Sequence, residues 1–239
     1  MRKISFYAYI LRSFAGTIPP KIKLNKIKNK GTKEEADALV NKTVLNWSRS
    51  VINKVGIKVY IKGSENIPSE SCLFVANHQG NFDFFAMMAY IPRPIGFVAK
   101  KEIGQFPYVP QWMKEMHCVF IDRDNPRESV RAINEAAENL KNGYSMVIFP
   151  EGTRSKGHKM GEFKKGSLKL AIKSGVPIVP VTIDGSYKVY EEGNGKQFKP
   201  AEINIIIDKA IYIDELIKED QKDVTSYVQR IIQRNLDSL

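Results

Sequence analysis

Short apolar runs rich in β-branched and aromatic residues alternate with segments of helical periodicity from residue 56 onward, and this alternation limits the possible folds more than any other feature. The runs that predict strands are IKVYIKG (57–63), CLFVAN (72–77), IGFVAK (95–100), CVFID (118–122), SMVIFP (145–150), IVPVTID (178–184) and INIIID (203–208). The clearest helix between them runs from Pro126 to Asn142, with Asn125 as a suitable N-cap and Gly143 at its end. The pattern predicts an α/β domain with a mostly parallel central sheet of about seven strands, flanked by helices.

The positive charge of the chain is concentrated in its N-terminal quarter. Residues 1–62 contain 14 Lys and Arg residues and 3 acidic residues, a difference that equals the whole formal net charge of +11. Two apolar stripes at steps of three and four predict two amphipathic helices. The first stripe consists of Ile4, Tyr7, Ala8, Leu11, Phe14, Ala15 and Ile18, and the second of Ala36, Val40, Val44, Trp47, Val51 and Val55. The segment PPKIKLNKIKNKG (19–31) between them is interpreted as a proline break followed by a Lys-rich connector.

Two amphipathic helices with a basic connector predict that residues 1–55 associate with an anionic membrane surface, because each basic residue near anionic lipid contributes about 1 kcal/mol. For the second stripe, packing against the core is an equally good interpretation. Arg12 interrupts the first apolar run and no run of about 18 apolar residues exists, so neither a cleavable signal peptide nor a spanning helix is expected. A nucleic-acid partner is not expected either, since the residues among the lysines are aliphatic and residues 63–239 are neutral. The α/β domain is placed at residues 56–239.

His78 and Asp83 stand between an apolar strand and an apolar helix in VANHQGNFDFFAMMAY (75–90). His78 follows the carboxyl end of a predicted strand, the usual place for sites in α/β sheets, and Asn81 is the expected cap of the next helix. Gly80 permits a sharp turn that can bring the two side chains together. A carboxylate bonded to one imidazole nitrogen leaves the other nitrogen free to accept a proton, so the pair can act as a general base on a hydroxyl. A purely structural pair is the alternative.

Two further predicted strands are each followed by an arginine. VIFPEGTRSKG (147–157) leads from a strand into Glu151, Gly152, Thr153 and Arg154, which combine a guanidinium, a hydroxyl and a flexible backbone. These groups suit an anion site. Arg123 follows another strand, in CVFIDRDN, where a surface ion pair is the alternative role. Because parallel strands bring their carboxyl ends to one edge, the three strand ends predict one composite site.

Four sequence blocks occur in order: NHxxxxD (Asn77, His78, Asp83), FIDR (120–123), FPEGTRS (149–155) and VPIVPVTIDGS (176–186). Together they resemble the blocks of the phospholipid/glycerol acyltransferase family, and within it the bacterial 1-acylglycerol-3-phosphate acyltransferases. The resemblance covers roughly residues 56–214. This chain has His117 where the second block usually starts with glycine, and Gly80 where the first often has serine. These departures leave the acceptor open.

The resemblance implies transfer of a fatty acyl group from an acyl-CoA or acyl-carrier-protein thioester to the free sn-2 hydroxyl of 1-acylglycerol 3-phosphate. His78 would be the general base, Asp83 would orient it and Asn77 would support it. The residues expected to bind the acceptor phosphate are Arg123, Glu151, Gly152, Thr153 and Arg154. No metal, cofactor or covalent acyl-enzyme is expected, and the expected location is the cytoplasmic face of the cell membrane.

Other functions remain open at this stage. The same chemistry could serve glycerol 3-phosphate, a lysophospholipid with a larger headgroup, or a lipid A precursor. A catalytically silent membrane protein that binds lipid is a further alternative, although the intact His78–Asp83 pair argues against it. An acyl chain needs an apolar slot, and FFAMMAYIP (84–92) could line it or could pack on the sheet.

Overall fold

The seven predicted strands form one sheet in a computed structural model of the chain, which describes residues 1–193 and 195–239. The strands are β1 (Lys58–Lys62), β2 (Leu73–Ala76), β3 (Ile95–Lys100), β4 (Val119–Ile121), β5 (Ser145–Ile148), β6 (Ile178–Asp184) and β7 (Glu202–Ile207). Their order across the sheet is β1-β7-β6-β2-β5-β3-β4, and neighbours are parallel except for the antiparallel pair of β6 and β7. The predicted fold class is confirmed.

Helices cover both faces of the sheet. The α-helices are α1 (Lys3–Ala15), α2 (Ile18–Lys30), α3 (Lys33–Val55), α4 (Asp83–Tyr90), α5 (Val109–Glu115), α6 (Pro126–Lys141), α7 (Lys169–Ser174), α8 (Lys218–Lys222) and α9 (Val224–Asp237). Short 3-10 helices are formed by Ser64–Asn66, Lys101–Gln105, Ser186–Val189 and Ile213–Glu215.

The central strands are buried on both sides. In β2, Phe74 and Ala76 belong to the apolar layer that contains residues of α3 and α4, whereas Leu73 and Val75 belong to the layer that contains residues of α6, α7 and α9. Alternation between two apolar layers explains why these strands are continuous apolar runs in the sequence.

Both predicted N-terminal helices are present, as α1 and α3, and the connector predicted between them forms a third helix. The predicted connector is helical as α2, whose prolines lie in the first helical turn, where a missing N–H breaks no helical bond. Leu24 of α2 is fully buried against Ala36 and Val40 of α3. The sequence did not predict this helix, because Leu24 is its one fully buried residue and the surrounding lysines leave no apolar periodicity. Tertiary contacts, including ion pairs of Lys21 and Lys28 with Glu115, therefore stabilise a segment with weak helical signal.

The two predicted amphipathic stripes have different surroundings. Val51 and Ile52 of α3 are fully buried in the core, so the second stripe packs against the α/β domain. In α1, Ile4 and Leu11 are 85% and 66% exposed, while Phe6 on another side of the helix stacks on Phe198. Within the part of the chain that the structure describes, no helix is both long and apolar enough to cross a membrane.

The parallel strands place the motif-bearing loops at one edge of the sheet. β2, β4, β5 and β6 share one direction, so their carboxyl ends lie on the same side. His78 follows β2 by two residues, Arg123 follows β4 by two, Glu151 follows β5 by three, and Asp184 is the last residue of β6. The prediction of a common edge is confirmed for the strands that precede these residues.

Replacement of Leu24 by alanine tests the packing of α2. Because Leu24 is fully buried, Leu24→Ala should lower the free energy of unfolding, or of local opening of α2, by about 2–5 kcal/mol. Ile22→Ala, on an exposed position of the same helix, should change it by no more than about 0.5 kcal/mol. Urea unfolding and amide exchange within residues 18–30 measure both effects, and equal losses in the two variants would contradict the packing.

Candidate active site

His78 and Asp83 form a hydrogen-bonded pair at the carboxyl edge of the sheet. His78 Nδ1 lies 2.7 Å from Asp83 Oδ2, and the same oxygen accepts a bond from the Gly80 amide at 2.9 Å. The Asp83 side chain is fully buried, whereas His78 is partly exposed and lines a cavity. With Nδ1 donating to the carboxylate, Nε2 is the nitrogen that can accept a proton.

The turn from residue 78 to residue 83 differs from the predicted one in a detail. Helix α4 begins at Asp83 with Phe82 at the N-cap, where no side chain caps the helix, so the prediction that Asn81 is the cap is wrong. Asn81 lines the cavity instead, and its backbone amide donates to Glu191 Oε1 at 2.8 Å. This contact comes from a distant loop, which local sequence rules do not anticipate.

Asn77 joins the end of β2 to β6. Its side-chain Nδ2 donates to the Ile183 carbonyl and its Oδ1 accepts from the Ile183 amide, both at 2.8 Å. The Asn77 side chain is fully buried and does not line the cavity. Asn77 thus fixes the backbone from which His78 extends.

The Glu151 carboxylate holds the backbone amides of His78 and Gly161. Its Oε1 accepts from the His78 amide at 2.6 Å and its Oε2 from the Gly161 amide at 2.8 Å. Burial raises the pKa of Glu151 above its ordinary value, although both amide bonds oppose the shift. The carboxylate therefore faces the backbone rather than the cavity. The ring of Phe149 stacks on the imidazole at 4.2 Å between centroids and restricts its rotation.

Two guanidinium groups lie on the same cavity as His78. Arg123 donates to the carbonyl of Gly152 rather than to a carboxylate. Arg154 Nη1 lies 3.0 Å from Glu191 Oε1. Both arginines line the cavity together with Gly152 and Thr153, so four of the five residues expected to bind phosphate meet beside His78. Gly152 has a φ of 70°, a left-handed conformation that favours glycine.

The cavity has a volume of about 550 Å³, and most of the side chains that line it are apolar. This volume is typical of sites for small ligands. In the predicted slot 84–92, Phe84 and Met88 line it, whereas Phe85, Ala86 and Met87 are buried in the core. The other apolar side chains on its wall include Phe14, Trp47, Phe97, Trp112, Met113, Met116 and Phe149. Residues of α1 and α3 thus complete a site that the sequence placed in residues 56–239 alone.

Sequence reasoning assigned no role to Gln79, His158 or Asp184, which brace the loops of the site. His158 Nδ1 lies 2.8 Å from Asp184 Oδ1, and Gln79 Nε2 donates to the same oxygen at 3.1 Å. Burial tends to raise the pKa of Asp184, but the bonds from Gln79 and His158 outweigh it, so the pKa lies below its ordinary value. Asp184 could have been found from the sequence, because it lies in the block 176–186. No sequence pattern singles out His158.

Comparisons with known proteins agree with this geometry. Residues 58–184 match the family model described as Acyltransferase. The chain is 34% identical over 188 residues to a protein of Mycoplasma genitalium described as a probable 1-acyl-sn-glycerol-3-phosphate acyltransferase, an alignment that covers 74% of this chain and 70% of that protein. It is 36% identical over 157 residues to a chloroplastic 1-acyl-sn-glycerol-3-phosphate acyltransferase of Brassica napus, covering 65% of this chain and 45% of that protein.

The structural similarity extends over the whole chain. The crystal structure of the 1-acyl-sn-glycerophosphate (LPA) acyltransferase PlsC from Thermotoga maritima matches with a TM-score of 0.82 and 30% identity, covering 100% of this chain and 97% of that one. A Mycoplasma pneumoniae relative is 41% identical over 137 residues, covering 55% of this chain and 51% of that protein. The chain spans about half the length of the Brassica and M. pneumoniae relatives. With this family match and structural coverage, the chain belongs to the acyltransferase family.

Glu151→Ala tests how the His78 backbone is held. The change leaves two amides without their acceptor, and at about 1–3 kcal/mol each it should lower the free energy of unfolding by about 2–6 kcal/mol. Glu162→Ala is the matched control, because Glu162 is exposed and only one residue beyond Gly161. Denaturant unfolding gives both values. Equal stability of the two variants would show that the Glu151 contacts contribute little.

Proposed function

We propose that the chain is a 1-acylglycerol-3-phosphate O-acyltransferase. It transfers a fatty acyl group from an acyl-CoA or acyl-carrier-protein thioester to the free sn-2 hydroxyl of 1-acylglycerol 3-phosphate, which gives phosphatidic acid. The observation that carries the proposal is that His78, paired with Asp83, and two guanidinium groups share one mostly apolar cavity. Relatives and a structural neighbour named for this activity support it.

In the proposed step, His78 Nε2 takes the proton of the acceptor hydroxyl while its oxygen attacks the thioester carbonyl. The C–S bond then breaks, and the leaving thiolate takes the proton from the imidazolium. Asp83 holds the tautomer that makes Nε2 the acceptor and stabilises the imidazolium. The acyl group passes directly to the acceptor without a covalent enzyme intermediate. Because a thioester is already activated, alignment and a positioned base suffice, and neither a metal nor an organic cofactor is required.

Arg123 and Arg154 bind the acceptor phosphate in this proposal. A guanidinium offers paired N–H donors that match phosphate oxygens, and charge-assisted bonds of this kind are about twice as strong as neutral ones. Thr153 adds a hydroxyl, and the Gly152 carbonyl accepts a hydrogen bond from the Arg123 guanidinium. Glu151 and Asn77 act through the backbone, because their side chains contact main-chain groups of the site.

The apolar part of the cavity suits a fatty acyl chain. Its walls are aromatic rings and methionine side chains, which adapt to a flexible chain. The contributions of Phe14 and Trp47 come from helices α1 and α3, so the N-terminal segment closes the acyl site in this proposal.

The N-terminal segment is also proposed to bind the cytoplasmic face of the cell membrane. The apolar residues exposed on α1 and α2 are Ile4, Tyr7, Leu11, Ile18 and Ile22. They lie within the quarter of the chain that has the whole positive excess. Apolar insertion and attraction to anionic lipid act together in such a segment. Peripheral binding there would bring the site to a lysophospholipid in the membrane and leave it open to soluble acyl donors.

Acyl transfer by the purified chain tests the function and the base. His78→Ala should lower turnover about 10²–10⁴-fold, because that is the usual contribution of a positioned base. The control is His117→Asn: His117 stacks on Tyr144 away from the cavity, and asparagine tolerates its φ of 57°. The assay compares lysophosphatidic acid, glycerol 3-phosphate and lysophosphatidylcholine, each with acyl-CoA and acyl-carrier-protein donors. Turnover of glycerol 3-phosphate or lysophosphatidylcholine but not of lysophosphatidic acid would overturn the proposed substrate. Absence of turnover with every combination of acceptor and donor would overturn the proposed activity.

Vesicle binding tests the membrane surface. Ile4→Ser/Leu11→Ser should weaken binding to phosphatidylglycerol vesicles at least about tenfold, since burying one such side chain is worth about 1.5–3 kcal/mol. Ile172→Ser/Ile217→Ser, two exposed positions elsewhere, should bind as the wild type does. Co-sedimentation at low and high salt gives the affinities. Salt-sensitive binding to duplex DNA without vesicle binding would contradict the proposal.

A further inference from the structure

Glu191 is a buried carboxylate beside the site. It lies outside the four sequence blocks and has no role in the acyl-transfer step proposed above. It follows the 3-10 helix Ser186–Val189, in the loop after β6. Its Oε1 lies 3.0 Å from Arg154 Nη1 and accepts from the Asn81 amide at 2.8 Å. The Glu191 side chain is 3% exposed, against 34% for Arg154. One oxygen thus holds a cavity guanidinium and a backbone amide at the same time.

The other oxygen of Glu191 has an unusual position. Oε2 is buried and, among the residues described, has no hydrogen-bond partner. A Cβ on Gly80 would lie 2.7 Å from this oxygen, closer than real contacts allow. Burial raises the pKa of Glu191, although Asn81 and Arg154 favour its charged form. Gly80 therefore leaves the space that this carboxylate occupies.

The contacts of Glu191 connect the phosphate-binding arginine to the turn of the base. Asn81 follows Gly80, whose amide donates to the Asp83 oxygen that holds His78. Glu191 is absent from the cavity wall, so its effect on the reaction must pass through Arg154 and this turn. A buried ion pair adds little net stability by itself, because desolvation offsets most of the attraction. The geometry therefore favours a positioning role.

We propose that Glu191 is a positioning residue that sets the distance between the acceptor phosphate on Arg154 and the base His78, and that Gly80 is required for it to do so. The proposal rests on the function proposed above. It deepens that function by adding two positions, 80 and 191, that control recognition of the phosphate-bearing acceptor.

Variants of Glu191 separate positioning from simple stability. Glu191→Ala releases the Arg154 guanidinium and should raise the KM for lysophosphatidic acid about tenfold or more, with the KM for the acyl donor unchanged, because the guanidinium loses the charge-assisted bond that positions it. Glu191→Gln keeps an oxygen that can accept from Arg154 and Asn81, so its KM for lysophosphatidic acid should stay within about threefold of the wild-type value. Glu192→Ala, an exposed glutamate in the next position, is the matched control.

Gly80 gives a second, independent variant. Gly80→Ala should displace the Glu191 carboxylate and raise the acceptor KM as Glu191→Ala does. Once the carboxylate is gone, the closest remaining atom near the added methyl group is the Ser186 carbonyl carbon at 3.3 Å, a contact that a small backbone shift relieves. The acceptor KM of the double variant Gly80→Ala/Glu191→Ala should therefore be no higher than that of Glu191→Ala alone.

The decisive experiment combines these kinetics with binding of inorganic phosphate, followed as the rise in Tm with phosphate concentration. Wild type, Glu191→Gln and Glu192→Ala should show the same rise, Glu191→Ala and Gly80→Ala a smaller one, and Arg154→Ala the smallest. An unchanged acceptor KM and phosphate response in Glu191→Ala, or additive losses in the double variant, would overturn the positioning role. A wild type that binds phosphate with these variant effects but acylates no acceptor would overturn the function and leave the positioning role standing.

Discussion

The structure depends on the parallel alignment of β2 with β5 and β6, which fixes where the polar loops can lie. Each of these strands is buried on both faces, so a slip of one residue would exchange the side chains of its two apolar layers and disrupt the packing of both. The loops that follow are then tied to each other: the Ser155 amide donates to the His78 carbonyl and the Lys156 amide to the Gln79 carbonyl. The sheet edge thus carries two linked loops that place His78 and the arginines on one cavity.

Three buried carboxylates hold the turn that contains His78. Glu151 accepts from the amide of His78, Asp83 from that of Gly80, and Glu191 from that of Asn81. Burying charge is costly, and burial raises the pKa of both Glu151 and Glu191. The amides and the nearby guanidinium of Arg154 offset part of that cost. The result is a turn whose backbone amides are fixed by side chains from different loops.

The sequence predicted the strands, the sheet class and the edge at which the site lies, because these follow from local apolar patterns and from the rule for parallel strands. It predicted that His78, Arg123 and Arg154 would meet, since each follows a strand. It could not show that Glu151 faces the backbone, because the direction of a side chain depends on which amides are left unpaired nearby. Glu191 lay outside every motif, and Leu24 was hidden among lysines; both act through contacts between distant segments.

The proposed function requires that one cavity binds the acceptor phosphate on Arg123 and Arg154 while His78 reaches the acceptor hydroxyl. A crystal structure of the wild-type chain with 1-acylglycerol 3-phosphate and no acyl donor would show this arrangement, because the acceptor cannot react. We expect the phosphate on both guanidinium groups and the sn-2 oxygen about 2.6–3.2 Å from His78 Nε2. A phosphate bound elsewhere, or an sn-2 oxygen turned away from His78, would rule the arrangement out.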